Sequence, residues 1–218
     1  MPDQIMVRER YGESGIRIVF GDIIDEVTHE MVRRFFLHFT SLNISGVVDV
    51  IPSFRTCLIH FNNDLIRYDE LCELIDTTEA DGKNIVLPDV RRLEIPVRYG
   101  GDYGPDMDFV CSYSGLTREE VIEIHCASIY RVHAIGFMPG FPYLGPLDKR
   151  LYVPRQATPV LKVPQGSVGI AQLQTGIYPF ESPAGWRIIG RTMIRLFDYT
   201  KPPFSVLSFG DTVRFIRA

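Results

Sequence analysis

Residues 137–145 have the sequence Phe-Met-Pro-Gly-Phe-Pro-Tyr-Leu-Gly, and residues 164–169 have the sequence Pro-Gln-Gly-Ser-Val-Gly. Both belong to a stretch, 136–190, that holds eight of the 18 glycines and eight of the 15 prolines, and this density excludes long helices. Short apolar runs occupy the intervals, at 161–163, 168–171 and 187–189. Short strands joined by tight turns are typical of a β-barrel or a β-sandwich.

Residues 15–77 alternate signals for strands and helices in the order β-α-β-β-α. This order predicts a small N-terminal α+β domain of the ferredoxin-like type. Within it, 47–51 is expected to be a short buried strand that ends at Pro52-Ser53 and pairs antiparallel with the next strand. The apolar positions that define the five elements are Ile16, Ile18 and Phe20; Val27, Met31, Phe35, Phe39 and Leu42; Val47 to Ile51; Cys57, Ile59 and Phe61; and Tyr68, Leu71, Cys72 and Ile75.

A polar, turn-rich break at Asp81-Gly-Lys-Asn84 is the expected linker region, so we divide the chain into domains 1–88 and 89–218. The second domain opens with alternating apolar and charged residues over 92–99, which indicates a strand. Thr117-Arg-Glu-Glu120 fits a capping box and predicts a helix that runs to Ala127. The last expected strands are Met193–Phe197 and Val213–Ile216.

Composition narrows the class of protein. The 218 residues are 45% apolar and 23% charged, which is ordinary for a globular chain. No run approaches the roughly 20 apolar residues of a membrane helix. Residues 1–11 carry charges where a secretion signal would be apolar, so we expect a cytoplasmic protein with no membrane partner. The four cysteines form no C-x-x-C pair, which favours free thiols and no metal site.

The net charge of −4 conceals an asymmetry, because segment 129–192 has a charge of +5 and the remainder has a charge of −9. The basic residues of this segment are Arg131, Lys149, Arg150, Arg155, Lys162, Arg187 and Arg191. A local excess of positive charge suggests an anionic ligand or an acidic partner, and the alternative is a solvated surface. Nucleic acid is not expected as a partner, since no basic helix or aromatic-basic interleaving appears.

Two proline- and glycine-rich loops are candidates for a binding site. The first presents Phe141 and Tyr143 from a rigid segment, either as a binding wall or as a plug at the end of the barrel. The second contains Ser167, which lacks the G-x-S-x-G context of a nucleophilic serine. Its backbone N–H groups either form a concave anion site or belong to a plain β-turn.

Polar and aromatic groups gather in the following segments, where Gln174, Tyr178 and Ser182 suit a small polar ligand. The only tryptophan, Trp186, either stacks on that ligand or belongs to the core. The guanidinium groups of Arg155, Arg187 and Arg191 are either carboxylate donors or surface charges. On a predicted helix, His125 shares a face with Val121 and Ile124, so it is either a packed core histidine or a group that transfers protons.

The ordered blocks of the second half resemble one known family, which includes the B subunit of 5-oxoprolinase, allophanate hydrolase subunit 1 and the sporulation kinase inhibitor KipI. The blocks are Tyr99-Gly-Gly-Asp-Tyr-Gly-Pro-Asp106, His125, Gly136 to Gly145, Pro154-Arg155, Val163 to Ala171, Gln174 to Pro179, Ser182-Pro-Ala-Gly-Trp186 and Ile189-Gly-Arg-Thr192. This resemblance is strong over 92–215 and looser before it. It implies an α+β fold class, with an N-terminal α+β domain followed by a cyclophilin-like β-barrel domain.

The resemblance also implies a function. The chain would be the B subunit of an ATP-dependent 5-oxoprolinase, which hydrolyses 5-oxo-L-proline to L-glutamate together with the A and C subunits. ATP would be bound by the complex, and no P-loop in this chain would hold it. The negative charge of this small carboxylate substrate would match the positive charge of segment 129–192. The alternative is a KipI-like regulator that binds and inhibits a sensor histidine kinase, and prolyl isomerase activity rests on fold analogy alone.

The site residues that the resemblance implies line a substrate pocket, and none is assigned a catalytic role: Arg155, Ser167, Gln174, Tyr178, Ser182, Trp186 and Arg191. Three positions depart from the family pattern. Val160 stands where the family usually has Arg, Gln172 stands where it has Gly, and Ala184 replaces a Gly before Gly-Trp. The lost arginine weakens anion binding at that point, and Gln172 is expected to narrow the pocket.

Overall fold

The computed structural model describes residues 7–82 and 87–218, with the side chains of 79–82 excepted. The chain divides into two compact units, Met1–Asp89 and Val90–Ala218. The predicted fold class, a small α+β domain followed by a β-barrel domain, is confirmed. The expected break at 81–84 is partly wrong, because Asp81 and Gly82 end a helix, while Lys83 and Asn84 lie outside the described residues.

The N-terminal unit is a four-stranded antiparallel sheet with two helices. Its sheet order is β1-β2-β4-β3, in which β2, β4 and β3 form the predicted ferredoxin-like core. The elements are β1 (Val7–Arg10), β2 (Gly15–Val19), α1 (Glu26–Ser41), β3 (Val47–Ser53), β4 (Thr56–Phe61) and α2 (Tyr68–Gly82). Strand β1 was not expected, because Val-Arg-Glu-Arg has no apolar alternation, yet it adds an edge strand in register with β2.

Two details of this unit differ from the sequence-based expectation. Strand β3 is not buried, since it lies at the sheet edge with Val48 61% exposed. It continues through Pro52 and Ser53, which an edge strand tolerates because one row of its N–H groups has no ladder partner. Helix α1 buries Val32 and Phe39, whereas Val27, which we expected on the apolar face, is 59% exposed.

The C-terminal unit is a closed barrel with the strand order β10-β7-β6-β13-β5-β12-β9, and β8 and β11 pair as a separate two-stranded ribbon. Strands β5 and β13 pair in parallel. The elements are β5 (Arg92–Tyr99), α3 (Met107–Ser114), α4 (Arg118–Ala127), β6 (Ile129–Ile135), β7 (Pro142–Gly145), β8 (Val160–Val163), β9 (Ser167–Ala171), β10 (Gln174–Ile177), β11 (Ser182–Ala184), β12 (Arg187–Arg191) and β13 (Thr212–Arg217), with short 3₁₀ turns at Gly101–Tyr103 and Lys149–Leu151.

One predicted strand of this unit is wrong. Met193–Phe197 forms no ladder, and only an isolated bridge joins Phe197 to Ser205. The closed barrel offers this segment no free edge on which to pair. Leu196 is instead buried in the barrel core, so its side chain anchors an irregular segment.

No helix in residues 7–82 or 87–218 combines the length and the apolar character that a membrane crossing requires.

The predicted capping box is present at the start of α4. The Thr117 hydroxyl accepts a hydrogen bond from the Glu120 backbone N–H, and the Glu120 carboxylate accepts one from the Thr117 N–H at 2.8 Å. Replacing Thr117 with alanine should lower the free energy of unfolding by about 1 kcal/mol, because one helix N–H loses its acceptor. Urea denaturation measures the loss. Ser112→Ala, at an exposed position of α3, is the matched control, and an equal loss in both variants would contradict this role.

Candidate functional site

An aromatic cluster, which we define as Phe141, Tyr143, Tyr178 and Trp186, lies against the outer face of the barrel. Phe141 is at its centre, with ring centroids 5.0, 5.1 and 5.5 Å from those of Tyr143, Tyr178 and Trp186, all in edge-to-face contact. The cluster packs together with Val163 of β8, Ala184 of β11 and Ile188 of β12. It is therefore a second core, separate from the barrel interior.

Two glycines explain why the rings lie there. Gly169 and Gly176 face each other across β9 and β10. A Cβ on Gly176 would approach the Phe141 ring to 2.8 Å and the Trp186 ring to 3.0 Å, and a Cβ on Gly169 would approach Trp186 to 3.1 Å. The two positions without side chains thus form a flat surface on which the rings rest.

The cluster settles two alternatives left by the sequence. Trp186 is 5% exposed and Phe141 is fully buried, so both belong to the core. Neither Phe141 nor Tyr143 plugs the end of the barrel, because Pro142–Gly145 is barrel strand β7 and the side chains at 141 and 143 point to the outer cluster. The loop preceding β7 keeps one strained residue, Phe137, with φ of 66°.

Two of the predicted binding residues, Arg155 and Gln174, lie at the rim of the aromatic cluster, and a third, Tyr178, is buried within it. Burial raises the pKa of Tyr178 to about 12, and the backbone N–H of Trp186 and the charge of Arg155 oppose that rise. Arg155 is exposed and forms no ion pair or hydrogen bond within the described part of the chain. Gln174 begins β10, four residues before Tyr178, and by strand alternation it points to the same face.

A cavity of about 190 Å³, which we call the β8 cavity, lies beside the aromatic cluster. It contains Ser167 and Arg191 of the predicted set, and also Val160, where this chain departs from the family pattern. The full lining is Asp102, Tyr103, Pro105, Asp106, Gln156, Val160, Lys162, Val163, Pro164, Ser167, Ile188 and Arg191. Val163 and Ile188 belong to both the cavity and the cluster, so the two are adjacent.

Asp106 organises one side of the β8 cavity. One oxygen of its carboxylate accepts hydrogen bonds from the Ile188 backbone N–H at 2.7 Å and from the Gln156 amide at 3.2 Å. The other oxygen pairs with Arg187 at 3.4 Å. The Arg187 guanidinium also lies 3.6 Å above the ring of Phe109. Arg187 is therefore held by the protein itself, and it is not available as a carboxylate donor.

The loop at 164–169 is a turn whose N–H groups at Gly166 and Ser167 are both used within the protein. The backbone N–H of Ser167 donates to Pro164 O at 3.2 Å, and that of Gly166 donates to Tyr178 O at 2.8 Å, so neither is free for a ligand. The Ser167 hydroxyl donates to Pro164 O at 2.7 Å. Because its partner is a carbonyl and no base within the described residues forms a hydrogen bond with it, Ser167 is not an activated nucleophile.

Arg191 is held at one nitrogen only. Its Nε donates to Gln165 O at 2.8 Å, and within the described residues its two terminal nitrogens have no hydrogen-bond partner. Ser182, the remaining predicted residue, lies on β11, where its hydroxyl donates to Pro183 O at 3.1 Å. The predicted set is thus divided between the aromatic cluster, which contains Tyr178 and Trp186, its rim, the β8 cavity and the ribbon β8–β11.

His125 lies inside the barrel, away from both features. Its Nε2 is 3.0 Å from the Thr175 hydroxyl, which itself donates to Gly169 O at 3.1 Å. The Thr175 oxygen must therefore accept from Nε2–H, which leaves Nδ1 to accept from the Tyr99 hydroxyl at 2.8 Å. Burial lowers the pKa of His125 to about 3. The packed core histidine, and not the proton-transfer role, fits this environment.

No cysteine whose pKa is shifted is an activated thiol. Burial raises the pKa of Cys57 to about 12, and it also raises the pKa of Cys111 and of Cys126. Their thiols are therefore protonated at neutral pH and are poor nucleophiles. Within the residues that the structure describes, no three His, Cys, Asp or Glu side chains are grouped to hold a metal ion.

Sequence reasoning missed the segment that forms one wall of the β8 cavity, Asp102 to Asp106. A Cβ on Gly104 would lie 2.1 Å from Ile189 O, so only glycine lets this segment approach β12 so closely. The signal was present in Tyr99-Gly-Gly-Asp-Tyr-Gly-Pro-Asp106, whose three glycines and one proline accompany three potential ligand-binding side chains.

Comparison with known proteins places this geometry in a family. Residues 6–207 match the family described as carboxyltransferase domain, subdomain C and D. The chain is 37% identical over 220 residues to the 5-oxoprolinase B subunit of Bacillus subtilis (strain 168), covering 96% of this chain and 91% of that protein. It is 52% identical over 126 residues to the 5-oxoprolinase B subunit of Haemophilus influenzae, covering 58% of this chain and 59% of that protein.

Solved structures share this fold. The structure of TTHA0988 superposes with a TM-score of 0.83 at 32% identity, covering 94% of this chain but only 39% of that chain. The Kluyveromyces lactis urea amidolyase superposes with a TM-score of 0.78 at 19% identity, covering 100% of this chain and 15% of that chain, and this likeness shows the fold alone. The chain therefore belongs to the family of carboxyltransferase-domain subdomains C and D.

Proposed function

We propose that this chain is the B subunit of an ATP-dependent 5-oxoprolinase, which acts with the A and C subunits to hydrolyse 5-oxo-L-proline to L-glutamate. The observation that carries the proposal is the similarity, at 37% to 52% identity, to three proteins that bear the name of the 5-oxoprolinase B subunit. The match to the B. subtilis protein extends over nearly the full length of both chains.

The chemistry of the chain supports a binding role within such a complex. The β8 cavity contains no serine or cysteine paired with a base, so the reaction would not pass through a covalent intermediate on this wall. A lactam is a stable amide, and ATP hydrolysis by the complex would supply the driving force for its opening by water. This chain would contribute residues that hold and orient the substrate.

The test is an omission assay with purified proteins. The A and C subunits are mixed with 5-oxo-L-proline and ATP, with and without this chain, and L-glutamate and inorganic phosphate are measured. Glutamate should form only when all three proteins and ATP are present. Glutamate formation at the same rate without this chain, or none with it, would refute the proposal. Bovine serum albumin in place of this chain controls for nonspecific stabilisation.

A further inference from the structure

The polar atoms of the β8 cavity fall into two classes. Those of Asp106, Gln156 and Ser167 already have partners within the protein, so they maintain the shape of the wall. Those of Arg191 and Tyr103 retain unused donors. The Tyr103 hydroxyl accepts a hydrogen bond from Arg98 at 3.0 Å, which leaves its own hydrogen to be donated.

Two further charges complete the lining. Lys162 contributes an ammonium group, whose ion pair with Glu181 at 2.8 Å lies on the surface with both side chains more than half exposed. Such a pair is weak and a ligand can replace it. Asp102 contributes an exposed carboxylate, which has no hydrogen bond or ion pair within the described residues and can accept an N–H.

The balance of these charges limits the class of ligand. The lining has two cationic side chains, Lys162 and Arg191, and two acidic ones, Asp102 and Asp106, but Asp106 is already paired with Arg187, which lies outside the lining. With this pair included the site has a formal charge of +1, which one carboxylate balances. A phosphate dianion or a nucleotide would bring more negative charge than this lining compensates. The volume of about 190 Å³ is below the roughly 300 Å³ at which pockets for drug-sized ligands begin, so the cavity suits a small ligand better than a nucleotide.

The remaining surface of the cavity is apolar, from Val160, Val163 and Ile188 among others. A ligand that matches this wall has a small apolar part, one carboxylate and one N–H. We infer that the β8 cavity binds the substrate carboxylate of a small lactam acid through Arg191, Tyr103 and Lys162, with the lactam N–H directed to Asp102. The lactam ring and the identity of the ligand as 5-oxo-L-proline rest on the proposed function, whereas the carboxylate and the N–H group follow from the side chains of the cavity.

Direct binding to this chain of 218 residues tests the site, since every lining residue belongs to it. Isothermal titration calorimetry is run with 5-oxo-L-proline, with 2-pyrrolidinone, which lacks the carboxylate, and with inorganic phosphate. The wild type should bind 5-oxo-L-proline, and both other ligands should bind at least about ten-fold more weakly, because a charge-assisted pair is lost or a second negative charge is uncompensated. Absence of 5-oxo-L-proline binding, or equal binding of all three ligands, would overturn the inference.

Two variants locate the binding within the chain. Arg191→Gln should weaken 5-oxo-L-proline binding about ten-fold or more. Arg195→Gln is the matched control, because Arg195 Nε also donates to a backbone carbonyl but lies outside the cavity lining. Should R191Q fail to fold by circular dichroism, Lys162→Gln removes an exposed cation of the same wall and should weaken binding about three-fold. If the folded cavity variant and R195Q bind 5-oxo-L-proline with equal affinity, the proposed site is wrong.

The binding assay tests the site and the omission assay tests the function, so either one can fail without the other. Arg191-dependent binding without glutamate formation by the three-protein mixture would refute the 5-oxoprolinase function and leave the carboxylate site standing. Glutamate formation that needs this chain, with affinity and Michaelis constant for 5-oxo-L-proline unchanged in R191Q, would refute the site and leave the function standing.

Discussion

Replacing Gly176 with alanine should lower the free energy of unfolding by about 2 to 3 kcal/mol. The added methyl would lie 2.8 Å from both the Phe141 ring and the Pro142 carbonyl oxygen, and backbone on the adjacent strand β7 cannot move without breaking the barrel ladder. The rings of the aromatic cluster would have to separate from β9 and β10. Urea denaturation followed by the fluorescence of Trp186, the only tryptophan, reports both the stability and the displaced ring.

Gly185 is the matched control for this substitution. A Cβ at Gly185 would meet no atom within 4 Å, and its backbone is not in the left-handed region, so Gly185→Ala should change stability by less than about 1 kcal/mol. Equal stabilities of G176A and G185A would show that the cluster does not rest on the barrel as described.

The second large effect concerns the buried His125. In the folded chain burial lowers its pKa to about 3, whereas the ordinary value is 6.5. Between these values the unfolded chain binds a proton that the folded chain does not, so stability falls as the pH falls from about 6.5 toward 3. The free energy of unfolding changes by about 1.4 kcal/mol per pH unit over this range. At pH 7 the histidine is mostly neutral in both the folded and the unfolded chain, so its titration no longer lowers the free energy of unfolding.

His125→Gln removes the titration while keeping an N–H for Thr175. Denaturant titrations between pH 4.5 and 6 should therefore show a slope of stability against pH that is reduced by about 1.4 kcal/mol per unit relative to the wild type. His133, whose pKa burial lowers to about 4, contributes to the slope in both proteins and cancels in the difference. Exposed His60→Gln is the control, and an equal slope in H125Q and H60Q would contradict the buried, neutral state of His125.

Local periodicity was enough to predict most elements of the fold. The β-α-β-β-α order and the helix at 118–127 followed from spacing and capping, because these signals lie within a few residues of one another. Strand β1 and the edge position of β3 were missed, since pairing partners depend on the sheet and not on the strand. Likewise Met193–Phe197 has a strand-like pattern, but the closed barrel has no edge to pair with it.

The candidate site was less accessible to sequence reasoning. Motif density located the segments that carry Ser167 and Arg191, and these do line a cavity. It did not distinguish Trp186, which packs on glycines, from a ligand-stacking ring, because the partner glycines lie 10 and 17 residues away on other strands. Nor did it indicate that Asp106 pairs with Arg187, which turns an apparent carboxylate donor into a structural pair.

The most direct measurement is the Michaelis constant for 5-oxo-L-proline of the three-protein complex assembled with R191Q. The substrate carboxylate is neither formed nor broken in the reaction, so the loss of its contact with Arg191 should act mainly on binding and raise the Michaelis constant about ten-fold or more at nearly unchanged kcat. The complex with R195Q should keep the wild-type value. A Michaelis constant that R191Q leaves unchanged, in a complex that forms glutamate, would contradict substrate binding in the β8 cavity.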